Sequence, residues 1–111
     1  MAQDKYSKLE TTLYRADSDR GMAEACEMRR AYLDARNYYA SATTNYETAK
    51  ALALDLKLPD DFEHAKTGAR ECSAKVPQMQ AKFKEVRSSN PGFKQLQGFK
   101  KYKQSDDTLV K

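Results

Sequence analysis

The sequence predicts an all-α protein, a three-helix assembly dominated by a long antiparallel helical hairpin. Two matching seams and the corner between them carry that prediction. The first seam runs through Ala25, Met28, Tyr32, Ala35, Tyr39, Ala42, Tyr46, Ala49, Ala53 and Leu56. The second runs through Phe62, Ala65, Ala69, Cys72, Val76, Met79, Phe83 and Val86. Both step by three and four residues, which keeps every member on one helix face, as in the contact line between packed helices. Between them lies the corner Lys57-Leu58-Pro59-Asp60. The predicted helices cover approximately residues 4–17, 22–57 and 60–88.

The first helix rests on Tyr6, Leu9, Leu13 and Ala16, which share a face. The stretch Asp17-Ser18-Asp19-Arg20-Gly21 then interrupts the pattern, and heptads counted from Tyr6 and Leu13 would place Arg20 in the core. The expectation is a break there, with Ser18 or Asp19 capping the next helix. Glycine inside a helix costs only ~1 kcal/mol, so one long helix that changes its contact face is the alternative. The second helix is rich in Ala, Glu, Arg and Leu and free of Gly and Pro, with a length on the order of 50 Å. Pro59 disfavours helix at Leu58. Asp60 and Asp61 suit the positive end of the third helix. Pro77 falls inside that helix, where its missing N–H predicts a bend. The seam continues past it, so no end is expected before Ser88-Ser89-Asn90-Pro91-Gly92. Residues 1–90 are thus expected to form the helical domain and 91–111 a basic, aromatic tail, flexible or in a short helix.

The core must be thin. Isoleucine and tryptophan are absent from the 111 residues, and alanine and tyrosine fill the seams. A small domain with a thin core is often completed by a second copy or a bound partner. Charge is uneven: residues 1–65 carry 9 Lys/Arg against 12 Asp/Glu, and residues 66–111 carry 11 against 4. Such asymmetry suits acidic partners, head-to-tail association or solubility. No apolar run is long enough to span a membrane, which predicts a cytoplasmic chain. An exported protein cloned without its signal peptide would read the same way.

Candidate chemistry is sparse. His64 is the single histidine. It has no nearby cysteine or paired carboxylates at ligand spacing, and Asp60, Asp61 and Glu63 are explained by helix N-terminal charge, so no metal site is expected. Nor does it have a nucleophile beside it. Phosphate loops and haem-attachment motifs are missing, so no cofactor and no enzymatic activity are expected. In the predicted hairpin Cys72 faces the level of Asn45 or Tyr46. Cys26 would lie on the order of 28 Å farther along the same helix. A disulfide needs Cα atoms within roughly 7 Å, which excludes a Cys26–Cys72 bridge from that geometry. Cys72 sits on the seam, and Cys26 beside it is expected to be accessible.

Two regions remain as candidate partner-binding sites. Tyr38 lies off the seam, and exposed tyrosine is common at interfaces. The tail interleaves Phe93, Lys94, Phe99, Lys100, Lys101, Tyr102 and Lys103, a composition that can contact phosphates and stack on bases. The expected role is a non-catalytic protein–protein interaction module: a small adaptor, chaperone, immunity or assembly factor. Its partner would be another protein or a second copy in a homodimer. The alternative is a nucleic-acid or acidic-surface binder acting through the tail, with affinity that falls steeply with salt.

Overall fold

The computed structural model describes residues 2–89. They form three helices: α1 over Ala2–Met28, α2 over Tyr32–Asp55 and α3 over Pro59–Ser89. The all-α, three-helix architecture is the one expected. The chain up to Gln80 makes one compact unit, and a second begins at Ala81. The helix packing described here belongs to the first. The tail, 91–111, lies outside the described residues.

The expected break at Gly21 does not occur. α1 runs through it as one helix of 27 residues. Its buried line is Leu9, Ala16 and Ala23 at heptad spacing, flanked by Thr12 and Cys26. The seam therefore continues in phase, but on small residues. Counting from the larger Tyr6 and Leu13 misplaced it, since Tyr6 is exposed. Gly21 itself is exposed, and nothing lies within 4 Å of a Cβ built there. Gly21→Ala should therefore stabilise the fold by about 0.5–1 kcal/mol, the usual helix-interior difference. Chemical denaturation measures this, and a loss of stability would show that the open space beside Gly21 is needed.

The first reversal comes only at Arg30, inside what reads as one long helix. Arg30 adopts φ 64°. The Ala31 N–H donates to the Cys26 carbonyl at 2.8 Å and the Arg30 N–H to the Glu27 carbonyl at 3.0 Å. This pair of bonds is a Schellman cap with its left-handed residue at Arg30. The second reversal repeats the geometry. Lys57 has φ 60°. Leu58 donates to Ala53 at 2.9 Å and Lys57 to Leu54 at 3.2 Å. Both turns thus place a cation where glycine is usual, at a cost of ~1–2 kcal/mol each that helix packing must offset. Met28, read as a seam residue, instead ends α1 and is 84% exposed.

The two turns lay α2 antiparallel to both neighbours. Toward α1, Glu27 meets Tyr39, Asp19 meets Ser41, and Lys5 meets Asp55. Toward α3, Arg36 reaches Gln80 and the Tyr46 ring lies on Gly68. The hairpin of the second and third helices is thus present. Tyr46 packs about one helical turn short of Cys72. α1 and α3 are bridged by Arg20–Glu71 and Glu27–Lys75.

Alanines line the interior: Ala16 and Ala23 in α1, Ala35, Ala42, Ala49 and Ala53 in α2, Ala65 and Ala69 in α3. Small side chains let three backbones converge, and Tyr46, Met79 and Cys72 are the largest fully buried side chains. Because α1 folds back, Cys26 leaves the helix that carries Tyr46 and joins the same core as Cys72. Both cysteines are buried, and no disulfide joins them. The large separation expected for them assumed a helix that does not exist, and Cys26 is not accessible. α3 continues through Pro77. Pro77 and Ser73, whose carbonyl loses its helical donor, are both exposed, so water can satisfy that group.

Candidate functional site

The stretch Asp17-Ser18-Asp19-Arg20, which reads as a helix break, supplies the polar layer of the bundle. The Tyr46 hydroxyl, fully buried, donates to Asp17 Oδ1. His64 Nε2 donates to the same oxygen at 3.0 Å. The His64 ring packs edge-on against Tyr46, with centroids 5.7 Å apart. One carboxylate of α1 thereby ties a tyrosine of α2 to a base of α3. One heptad along α2 the arrangement recurs. Tyr39 donates to Glu27 Oε1 at 2.7 Å, and Lys75 Nζ donates to both Glu27 oxygens at 3.2 Å. The Lys75 ammonium also sits 5.8 Å from the Tyr39 ring centroid, a cation–π contact. Between the two knots, Arg20 bonds Glu71 at 2.6 Å. That guanidinium holds the exposed Glu71 carboxyl below its ordinary range.

These contacts account for His64. Its Nε2 proton is directed at Asp17, and both side chains stay about half exposed. The tyrosine seams are likewise explained. Each buried hydroxyl finds a carboxylate, as a buried polar group requires. No group of three or more His, Cys, Asp or Glu able to hold a metal ion occurs among the described residues. None of the described helices is long and apolar enough to cross a membrane.

The knots make stability sensitive to alkali. Burial, followed by the acceptor carboxylates Glu27 and Asp17, pushes the Tyr39 and Tyr46 hydroxyls well above the ordinary tyrosine range. Burial likewise raises the Cys72 thiol. In the unfolded chain tyrosine ionises near pH ~10. Above that pH the unfolded state has lost protons that the folded state still holds, so stability falls as pH rises. The fall ends only when the folded hydroxyls themselves ionise. Denaturation midpoints should decline above about pH 10, and the decline should flatten in Tyr39→Phe/Tyr46→Phe. An equal slope in that variant would show that the two tyrosines are not its source.

Two of the surface depressions lie on the unit up to Gln80. The first is lined by Asp19, Asp34, Asn37, Tyr38 and Ser41. Tyr38 is half-buried and packs its ring against the core, so it is less exposed than its place off the seam implies. Asp19 already accepts from Ser41 Oγ at 2.6 Å and from Asn45 Nδ2 at 3.0 Å. The lining of this depression is mixed in polarity, and the Asp19 carboxylate in it is already satisfied. The second lies at the α2–α3 turn, lined by Ala53, Leu54, Lys57, Leu58, Pro59 and Phe62. Apart from the Lys57 ammonium it is apolar, and Leu54 is 66% exposed. The sequence pattern marked this turn as a corner, not as a surface. The signal was Leu54 standing off the seam beside Leu58 and Phe62.

The other expected site residues, Phe93, Lys94, Phe99, Lys100, Lys101, Tyr102 and Lys103, lie outside the described residues. Comparison of the chain with known protein families, with curated proteins and with solved structures gives no match.

Proposed function

We propose that this chain is a protein-interaction module without chemistry of its own, and that it docks its partner at the α2–α3 corner. The supporting observation is the apolar depression formed by Leu54, Leu58, Pro59 and Phe62. Elsewhere in the bundle the polar groups that might do chemistry are bonded to one another across helices. At the corner Leu54 and Pro59 are exposed, and Leu58 and Phe62 are only partly buried. Leaving most of a leucine in water forgoes part of the ~1.5–3 kcal/mol that its burial would contribute, and a partner can recover that. The apolar centre has a charged rim, the anatomy of a docking patch. Asp60, Asp61 and Glu63 follow the turn directly, and none has an ion-pair partner among the described residues.

A photo-crosslinking amino acid placed at position 54 in the producing cell tests this. It should yield a discrete protein adduct, while the same group at exposed Glu10 should not. No adduct at position 54, or the same adducts at both positions, would overturn the proposal.

A further inference from the structure

The corner has a complement within the same sequence. Residues 53–63 carry Asp55, Asp60, Asp61 and Glu63 against Lys57 alone, around an apolar centre. Residues 93–103 read Phe-Lys-Gln-Leu-Gln-Gly-Phe-Lys-Lys-Tyr-Lys, with aromatic and basic side chains and no acidic one. The segment lies outside the described residues. We propose that the corner is occupied by the basic aromatic segment 93–103 of a second copy of this chain. This inference rests on the corner being a docking surface, as proposed above.

Three arguments support that occupant. The first is shape and polarity. A depression floored by Leu58, Pro59 and Phe62 takes an aromatic ring, and Phe93 and Phe99 each offer one next to a lysine. Aromatic anchors in apolar pockets supply most of the energy of small interfaces. The second is charge. Asp60, Asp61 and Glu63 have no ion-pair partner among the described residues, and Lys94, Lys100, Lys101 and Lys103 would complement them across the rim. Asp55 is already held by Lys5 and contributes less. The third is the thin core: alanines line the interior of the unit up to Gln80, and a small domain with little buried apolar volume is often completed by a second copy.

Sedimentation velocity on the full chain tests the inference through two variants, Leu54→Lys and Phe93→Ser/Phe99→Ser. The unsubstituted chain should self-associate reversibly, and less so at higher salt. Each variant alone should weaken association by about tenfold or more, the loss expected for an interface anchor. Leu54→Lys should keep its melting temperature, because that side chain is mostly exposed. Mixing the two variants should restore a hetero-pair, since one keeps an intact segment and the other an intact corner. A chain that stays monomeric at every concentration, or variants that fail to recover on mixing, would overturn the inference. So would a photo-crosslinker at position 99 that joins only to its own copy. If the chain is monomeric and position 54 still gives an adduct with a different protein, the inference fails and the interaction module stands. If position 54 gives no adduct at all, both fail.

Discussion

Tyr46→Ala is expected to cost about 3–5 kcal/mol of folding stability, as for other large aromatic truncations in a core. Tyr46 is among the largest fully buried side chains and sits where the three helices converge. Its ring lies on Gly68 and against His64, and its hydroxyl donates to Asp17. Removing it opens a cavity that rigid, alanine-lined backbones cannot close, and it strips Asp17 of one donor. Tyr46→Phe separates the two effects. It keeps the ring, and because Asp17 is half exposed and retains His64, the loss should be near 1 kcal/mol. Urea denaturation of both variants measures the ratio. A cost for Tyr46→Phe as large as that for Tyr46→Ala would place the energy in the hydroxyl and not in the packing.

Gly68→Ala should destabilise although it adds a better helix former. A Cβ at position 68 would lie 2.7 Å from Tyr46 ring atoms, closer than real contacts allow. The ring cannot swing away, because it is fully buried and its hydroxyl is bonded to Asp17. Overpacking of this kind costs ~1–3 kcal/mol. The helix-propensity gain is only ~1 kcal/mol, so the net effect is a loss. The ring is the cause, so the sign should reverse when the ring is gone. In a Tyr46→Leu background, Gly68→Ala should become neutral or stabilising, a coupling that a double-mutant cycle isolates. Equal effects in both backgrounds would show that something other than Tyr46 demands the glycine. Gly21 and Gly68 are both helical, and only their surroundings give them opposite expected signs.

The α2–α3 hairpin was legible because its signals are local. Pro59 and the acidic pair after it mark the turn, and strict three–four spacing marks both faces. The α1–α2 turn carries no such mark. Met28-Arg29-Arg30-Ala31 contains no Gly, Pro or Asn, and the residue before α2 is an alanine with no side-chain cap. A left-handed Arg30 is unfavourable locally and becomes favourable only because the reversal lets α1 bury Leu9, Ala16 and Ala23 against the rest of the bundle. Conversely, Asp17-Ser18-Asp19-Arg20-Gly21 has the composition of a break. Its charges are stable within a helix because Tyr46, His64, Ser41, Asn45 and Glu71 arrive from the other two helices to receive them. Tyr38 stood out as a lone tyrosine off the seam, whereas the apolar corner forms only once Leu54, Pro59 and Phe62 are folded around the turn.

The sequence by itself determined the all-α class, the seam faces of the second helix and of the third as far as Met79 (Val86, read as a seam residue, is exposed), the corner at Pro59 and the passage of α3 through Pro77. Each follows from helical periodicity or from proline, which act within a few residues of their position. Only the tertiary structure decided where the first helix ends, which partners Asp17, Glu27 and Arg20 take, and that both cysteines share one core. Those outcomes depend on contacts between residues far apart in sequence. The energy of closing three alanine-lined helices outweighs the local cost of Arg30 and Lys57 in the left-handed region, and no local pattern reports that balance.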